Sequence, residues 1–287
     1  VLDLLRYSFM RNALVTGSIV AVLAAAVGFF IVARGLTFAG HALPNIGFAG
    51  AAGAVLVGVQ PVYGLFAFTI AAAIGIGVLG DKVRERDIVV AVLMTFALGL
   101  GFLFLSLYSG YAQRVYGILF GSILGISVEN VLVTAVAGAV ALAVLLAIFR
   151  PLLFSTVDPQ AAAARGLPVA MLSIVFLVVA ALAISLSVQV MGALLVFTLL
   201  VGPAATANRF SRRPSLAILI AAGLGLSYIW IGIGIAALSG DLPVSFVVSV
   251  IAFLVYLPVR LWARPRRRRG WPRPTAGGQI RRGEGHA

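Results

Sequence analysis

Apolar stretches of close to membrane-crossing length, nearly free of charge, repeat along this chain, separated by short polar breaks. They run near 12–33, 40–58, 61–80, 88–108, 128–149, 170–187, 190–207, 215–238 and 243–262. A helix needs about 20 apolar residues to cross roughly 30 Å of hydrocarbon. None of the stretches alternates with a period of two, which excludes a transmembrane β-barrel. The pattern predicts an all-α polytopic transmembrane helical bundle. Eight or nine spans are expected, because 40–58 is short and 170–207 is nearly continuous.

The polar breaks predict orientation. DKVRERD (81–87), the segment 150–168 with Arg150 and Arg165, and NRFSRRP (208–214) carry basic residues, and the positive-inside rule places them in the cytoplasm. The breaks near 59–61, 109–127, 188–190 and 239–242 then face outward, with Arg114 their chief basic residue. Nine spans put the N terminus outside together with Arg6 and Arg11, against the same rule. YAQRVYGILFGSILG (111–125) is too short and too glycine-rich for a span and is expected to be an interfacial or re-entrant piece.

Composition agrees with a membrane protein. Hydrophobic residues make up 62% of the 287 and charged residues 10%, against about 25% charged in soluble domains. Mean hydropathy is +1.14. There is no cysteine, so disulfides and thiolate metal sites are excluded. No cleavable signal pattern precedes the first stretch, which is therefore expected to remain as a span. The net charge of +13 sits largely at the end: from Arg260 onward there are nine arginines and one glutamate. After a membrane span, such a run reads as a cytoplasmic anchor on anionic lipid rather than as a nucleic-acid site. The expected organisation is a transmembrane domain over 1–262 and a basic, disordered tail over 263–287.

The segment RGLTFAGHALPNIGFAGAAGAVLVG (34–58) holds the candidate chemistry. His41 is one of two histidines in the chain, and no Asp, Glu or Lys accompanies it. Ionisable side chains within a bilayer are costly and mark transport paths or relays. Gly40, Ala42, Gly47, Ala49 and Gly50 let neighbouring helices come close. The segment reads as part of a transport pathway; the alternative is a histidine hydrogen-bonded between helices. Pro44 can free a carbonyl toward such a path.

VDPQAAAARGLPV (157–169) predicts a short cytoplasmic helix of about two turns. Asp158 suits its N-cap and Pro159 its first position, and the alanines favour helix. Arg165 complements the C-terminal dipole, Gly166 suits a left-handed stop and Pro168 prevents continuation. A helix this short is marginal alone, so it is expected to dock; the alternative is a plain interhelical loop. Other polar residues have structural readings. Asp241 and Glu129 sit at helix starts as cap or dipole partners, Gln189 and Met191 pack at a helix end, and Thr198 and Thr206 bond their own backbone. His286 falls in the tail. The chain's one lysine, Lys82 in GDKVRE, does not complete a P-loop, so no ATP site of that kind is present.

The pattern Asp-Pro-x-x-Ala-x-x-x-Gly at 158–166 resembles the ATPase-contacting segment of the ABC-3 family of metal-uptake permeases, the membrane subunits of zinc, manganese and iron ABC importers. MGALLVFTLLVGPAATANRFSRR (191–213) is similar to that family's glycine-to-proline span, and GDLPVSFVVSVIAFL (240–254) to its last span. The resemblance covers most of residues 8–262. It implies a type II importer architecture in the bacterial cytoplasmic membrane, a homodimer with its pathway along the dimer axis, and a divalent metal as cargo rather than a resident cofactor. It also implies an extracytoplasmic metal-binding protein, a separate cytoplasmic ABC ATPase, and no bond chemistry in this chain. Asp158, Pro159, Ala162, Arg165 and Gly166 would form the ATPase-coupling helix. The family's Asp-x-x-x-His ligand pair aligns, through GFAGAAGA (47–54), with His41 in the carboxylate position and Asn45 in the histidine position. A second register keeps His41 as the histidine and puts Thr37 opposite the carboxylate. In the first register both ligands depart from the family, and neither imidazole nor carboxamide supplies negative charge. Permeases for siderophore- or cobalamin-type cargo and ion-coupled secondary transporters are the alternatives. The first carry more spans than are placed here, and the second need mid-membrane carboxylates.

Overall fold

A computed structural model describes residues 8–80, 83–108, 121, 127–193, 195–211, 213–239 and 242–262, with the backbone alone at 83–85 and 262. Eleven helices are present among them: α1 Ser8–Ala33, α2 Thr37–Leu56, α3 Pro61–Leu79, α4 Val83–Leu107, α5 Val128–Ala147, α6 Phe149–Val157, α7 Pro159–Ala164, α8 Val169–Met191, α9 Val196–Phe210, α10 Pro214–Ser239 and α11 Val244–Trp262. The segment 111–125 apart from Gly121, the tail 263–287, and Arg6, Lys82, Arg114, Asp241 and His286 lie outside the described residues.

Each of the nine apolar stretches is a helix. Seven helices among the described residues, α1, α3, α4, α5, α8, α10 and α11, are long and apolar enough to cross a membrane. The other two differ in kind. α2 has 20 residues, but His41, Pro44, Asn45 and its glycines dilute its apolar character. α9 has 15 residues and covers about 22 Å at 1.5 Å per residue. The nearly continuous stretch 170–207 is divided at Gly192, whose φ of +79° ends α8 in a conformation that favours glycine.

α1 and α8 form the centre. α1 packs against α5, α8, α9 and α10, and α8 packs against α1, α3, α5 and α2. Both are buried around most of their circumference, as helices apolar on all sides are expected to be. α2 is enclosed by α3 and α4, with smaller contacts to α8 and α9. α9, α10 and α11 pack against one another, and α1 joins them to the rest. α3 and α8 are joined inside the apolar core by the hydroxyls of Thr69 and Ser185, 2.7 Å apart.

Helix ends are tied as local chemistry dictates. Ser127 caps α5 by accepting from the Asn130 N–H, and Glu129 occupies the first turn, where its charge meets the positive end of the helix dipole. The C-terminal end of α1, the end of α6 and the start of α8 meet at Arg34. With 150–168 in the cytoplasm, α1 runs from outside to inside and α2 returns outward.

Candidate functional site

Thr37, His41 and Asn45 follow one another at four-residue steps along α2, so they fan over about 80° of one helix face. Both registers of the ligand motif therefore fall on the same stripe. His41 is exposed, and Thr37 and Asn45 are half-buried, while Ala39, Gly40, Ala42, Leu43, Pro44 and Ile46 beside them are buried. Pro44 lacks the N–H that would bond the Gly40 carbonyl within the helix. Asn45 donates from Nδ2 to the His41 carbonyl oxygen at 2.9 Å, which leaves its Oδ1 as the side chain's acceptor.

The imidazole of His41 meets the ring of Phe197 near the start of α9 edge-on, with centroids 5.4 Å apart and planes at 78°. Its neighbour across the helix gap is thus an aromatic ring of α9. No group of three or more His, Cys, Asp or Glu able to hold a metal ion is present among the described residues. The stripe offers an imidazole nitrogen, a carboxamide oxygen and a hydroxyl, none of which supplies negative charge, and fewer donors than a divalent cation usually collects.

The other sequence candidates lie on other helices than α2. Met191 is fully buried at the end of α8. Gln189 has a buried Nε2 without a hydrogen-bond partner, as do the buried hydroxyls of Thr16 and Thr134. Thr206 donates to the Gly202 carbonyl at 2.8 Å, the expected bond to its own helix. Thr198 is half-buried one residue beyond Phe197.

The segment 158–166 is a capped helix, Pro159–Ala164, and not a plain loop. Asp158 is extended, and its carboxylate accepts from the Ala161 N–H at 2.9 Å, with Pro159 at the first position. At the other end Gly166 has φ +79°, its N–H bonds the Ala163 carbonyl, and the Leu167 N–H bonds the Ala162 carbonyl, a Schellman stop. Ala162 is fully buried and faces the protein. α7 packs on α6 and α8, and the Arg165 guanidinium lies over the Phe154 ring at 5.1 Å. Pro159, Gln160, Ala163, Ala164 and Arg165 are exposed.

Between these two regions lies a residue to which the pattern assigns no role. Arg34 sits in the turn joining α1 to α2. Its Nη1 donates to Ser155 Oγ at 3.2 Å and Thr156 Oγ1 at 3.3 Å, and its Nη2 to Ser173 Oγ at 2.5 Å. Its Cζ is 5.9 Å from the centroid of the Phe176 ring. Burial, and then the charge of Arg86, lower its pKa from the ordinary arginine value. A lone arginine just past an apolar stretch is an ordinary flanking charge, so nothing local distinguishes it.

The profile of the ABC 3 transport family matches residues 6–263. The chain is 30% identical over 225 residues to the manganese transport system membrane protein MntC of Halalkalibacterium halodurans, covering 78% of this chain and 77% of that one. It is 27% identical to the manganese import system permease protein ScaB of Streptococcus gordonii, covering 87% and 92%. Among solved structures it is similar to PsaBC from Streptococcus pneumoniae in complex with Fab, with a TM-score of 0.80, 26% identity and coverage of 89% and 92%. A metal-chelate type ABC transporter in an inward-facing conformation shares the fold, with a TM-score of 0.67 at 17% identity over 88% of this chain and 84% of that one. The chain belongs to the ABC 3 transport family, as a multi-pass, all-helical permease subunit of a bacterial ABC transporter that catalyses no reaction itself.

Proposed function

We propose that this chain is the membrane permease of an ABC importer for a divalent transition metal, with manganese as its cargo, and that the ion passes the stripe of Thr37, His41 and Asn45. The observation that carries the site is the exposure of His41, with half-buried Asn45 beside it, on an otherwise apolar helix of a membrane protein. Polar side chains at membrane depth face a bundle interior or an aqueous path, not lipid. A second copy laid against this face would cover the stripe and double its donors. We therefore read the working unit as a homodimer with the pathway at its axis. The relatives named for manganese transport support the cargo.

Neutral donors hold a divalent ion less tightly than a carboxylate pair would, and transport requires release as much as binding. An extracytoplasmic binding protein would deliver the ion. A separate ATPase would engage α7 through its exposed face, with Asp158, Pro159, Ala162, Arg165 and Gly166 keeping that helix formed and docked. Alternating access would follow from shifting packed helices. The basic residues from Arg260 onward would hold the cytoplasmic end against anionic lipid.

The test is manganese uptake into proteoliposomes holding the permease, its ATPase and its binding protein. His41→Ala should lower uptake strongly and Asn45→Ala less so. Unchanged uptake in both variants removes the ligand assignment. Uptake of an iron chelate in place of the free ion removes the cargo assignment.

A further inference from the structure

We propose that Arg34 is a positioning residue for transport, the polar tie by which displacement of α7 reaches the helix that carries His41. This rests on the reading that α7 receives the motion of the ATPase. The chain places the two ends of the tie close to both machines. Ser155 and Thr156 lie three and two residues before Asp158, the cap of α7, and Arg34 lies three residues before Thr37 and seven before His41.

The chemistry suits a directional link. Ser155 and Thr156 each donate their own hydroxyl proton to the Leu152 carbonyl, at 2.9 and 2.6 Å. Their oxygen lone pairs are thereby left for the guanidinium, which has donors and no acceptor. Nη1 takes the two hydroxyls of α6 and Nη2 takes Ser173 of α8, so one planar fork joins three helices.

On the Arg34 side the corner is stiff. The Arg34 N–H bonds the Phe30 carbonyl at 2.9 Å, and the Leu36 N–H bonds the Ile31 carbonyl at 2.8 Å. Gly35 turns the chain at φ +68°. The start of α2 therefore moves with the end of α1. α6 and α7 have substantial packing only with each other, α5 and α8, and not with α2. Two apolar routes run beside the tie: Phe30 meets Phe149 of α6 edge-on at 5.6 Å, and α8 packs on both α7 and α2. Apolar surfaces can slide past one another, whereas forked hydrogen bonds hold register.

The experiment measures manganese uptake and ATP hydrolysis together in proteoliposomes of the full complex, with thermal stability of each variant in detergent. Arg34→Ala should lower uptake per ATP about tenfold, within the range of a typical coupling free energy, while hydrolysis persists. Arg34→Lys should recover part of the loss, because an ammonium keeps the charge but has one nitrogen where Arg34 uses two, Nη1 for α6 and Nη2 for α8. The double variant Ser155→Ala, Thr156→Ala removes only the α6 acceptors and should reproduce the arginine loss even if Arg34→Ala fails to assemble. Unchanged uptake per ATP in the arginine and double variants overturns the proposal, and so does a parallel fall of stability, hydrolysis and uptake, which marks a purely structural residue. A wild-type complex that hydrolyses ATP without taking up metal overturns the importer reading and this proposal with it. Wild-type uptake with unaffected variants removes Arg34's role alone.

Discussion

Gly50 of α2 and Gly64 of α3 face each other so closely that a Cβ on either would lie 2.1 Å from the carbonyl oxygen of the other, far inside contact distance. This crossing sets how near α3 lies to the helix that presents His41. Small residues permit such backbone approach between membrane helices, where packing rather than hydrophobic burial drives association.

Gly50→Val and Gly64→Val should each force α2 and α3 apart and lower the thermal unfolding midpoint in detergent markedly, since the nearest atom in the way of each is a backbone carbonyl oxygen, which cannot yield as a flexible side chain does. Gly223→Ala in α10 is the control, because a Cβ there meets nothing within 4 Å. Helix propensity favours alanine over glycine by about 1 kcal/mol, so the control should be neutral or slightly stabilising. Equal behaviour of the three variants would remove the close crossing.

Asp158→Ala removes the N-cap of α7, a change that costs about 1 kcal/mol of helix stability. Association with the ATPase should weaken about fivefold, by the usual relation between free energy and affinity, while the permease's own thermal stability stays unchanged. Asp158→Asn keeps a capping oxygen and should retain association. Binding of the purified ATPase to nanodisc-held permease reads the difference, and equal affinity of all three proteins would sink it.

The buried pair Thr69 and Ser185 should contribute little. Thr69 already bonds the Leu65 carbonyl at 2.8 Å on its own helix. Ser185→Ala therefore leaves Thr69 satisfied and should cost no more than the roughly 0.6 kcal/mol average of interhelical hydrogen bonds in membranes. Reversible unfolding in detergent measures it, and a loss several times larger would show that the pair fixes the α3–α8 register.

Exchanging the candidate ligands tests their chemistry. His41→Asp with Asn45→His places a carboxylate and an imidazole on the exposed stripe of α2. Added negative charge should hold manganese more tightly and release it more slowly, lowering both the apparent KM and the maximal rate of uptake. Kinetics unchanged in both respects would mean that the ion does not touch this face.

The features that were legible in the chain are those whose causes are local. Span positions follow from apolar length, and all nine stretches are helices. The α7 helix follows from Asp158, Pro159, Gly166 and their immediate neighbours, whose hydrogen bonds span three to five residues. The common face of Thr37, His41 and Asn45 follows from helical period alone.

What the chain did not disclose depends on partners far along it. Apolar length predicts where 170–207 lies, but not that α9 is too short to cross by itself. Arg34 looks like any arginine flanking a span until its three hydroxyl partners arrive from 121 to 139 residues away. His41 is equally compatible, as a residue type, with a buried polar contact and with an open face, and only the packing of α2 against α3, α4 and α9 leaves it exposed. Hydrophobic period, caps and charge placement are properties of neighbouring residues, so the sequence by itself determined the helices and the membrane class. Which side chains meet, and which polar group is left uncovered, is decided by helix packing, because that choice minimises the free energy of the whole bundle and not of any one segment.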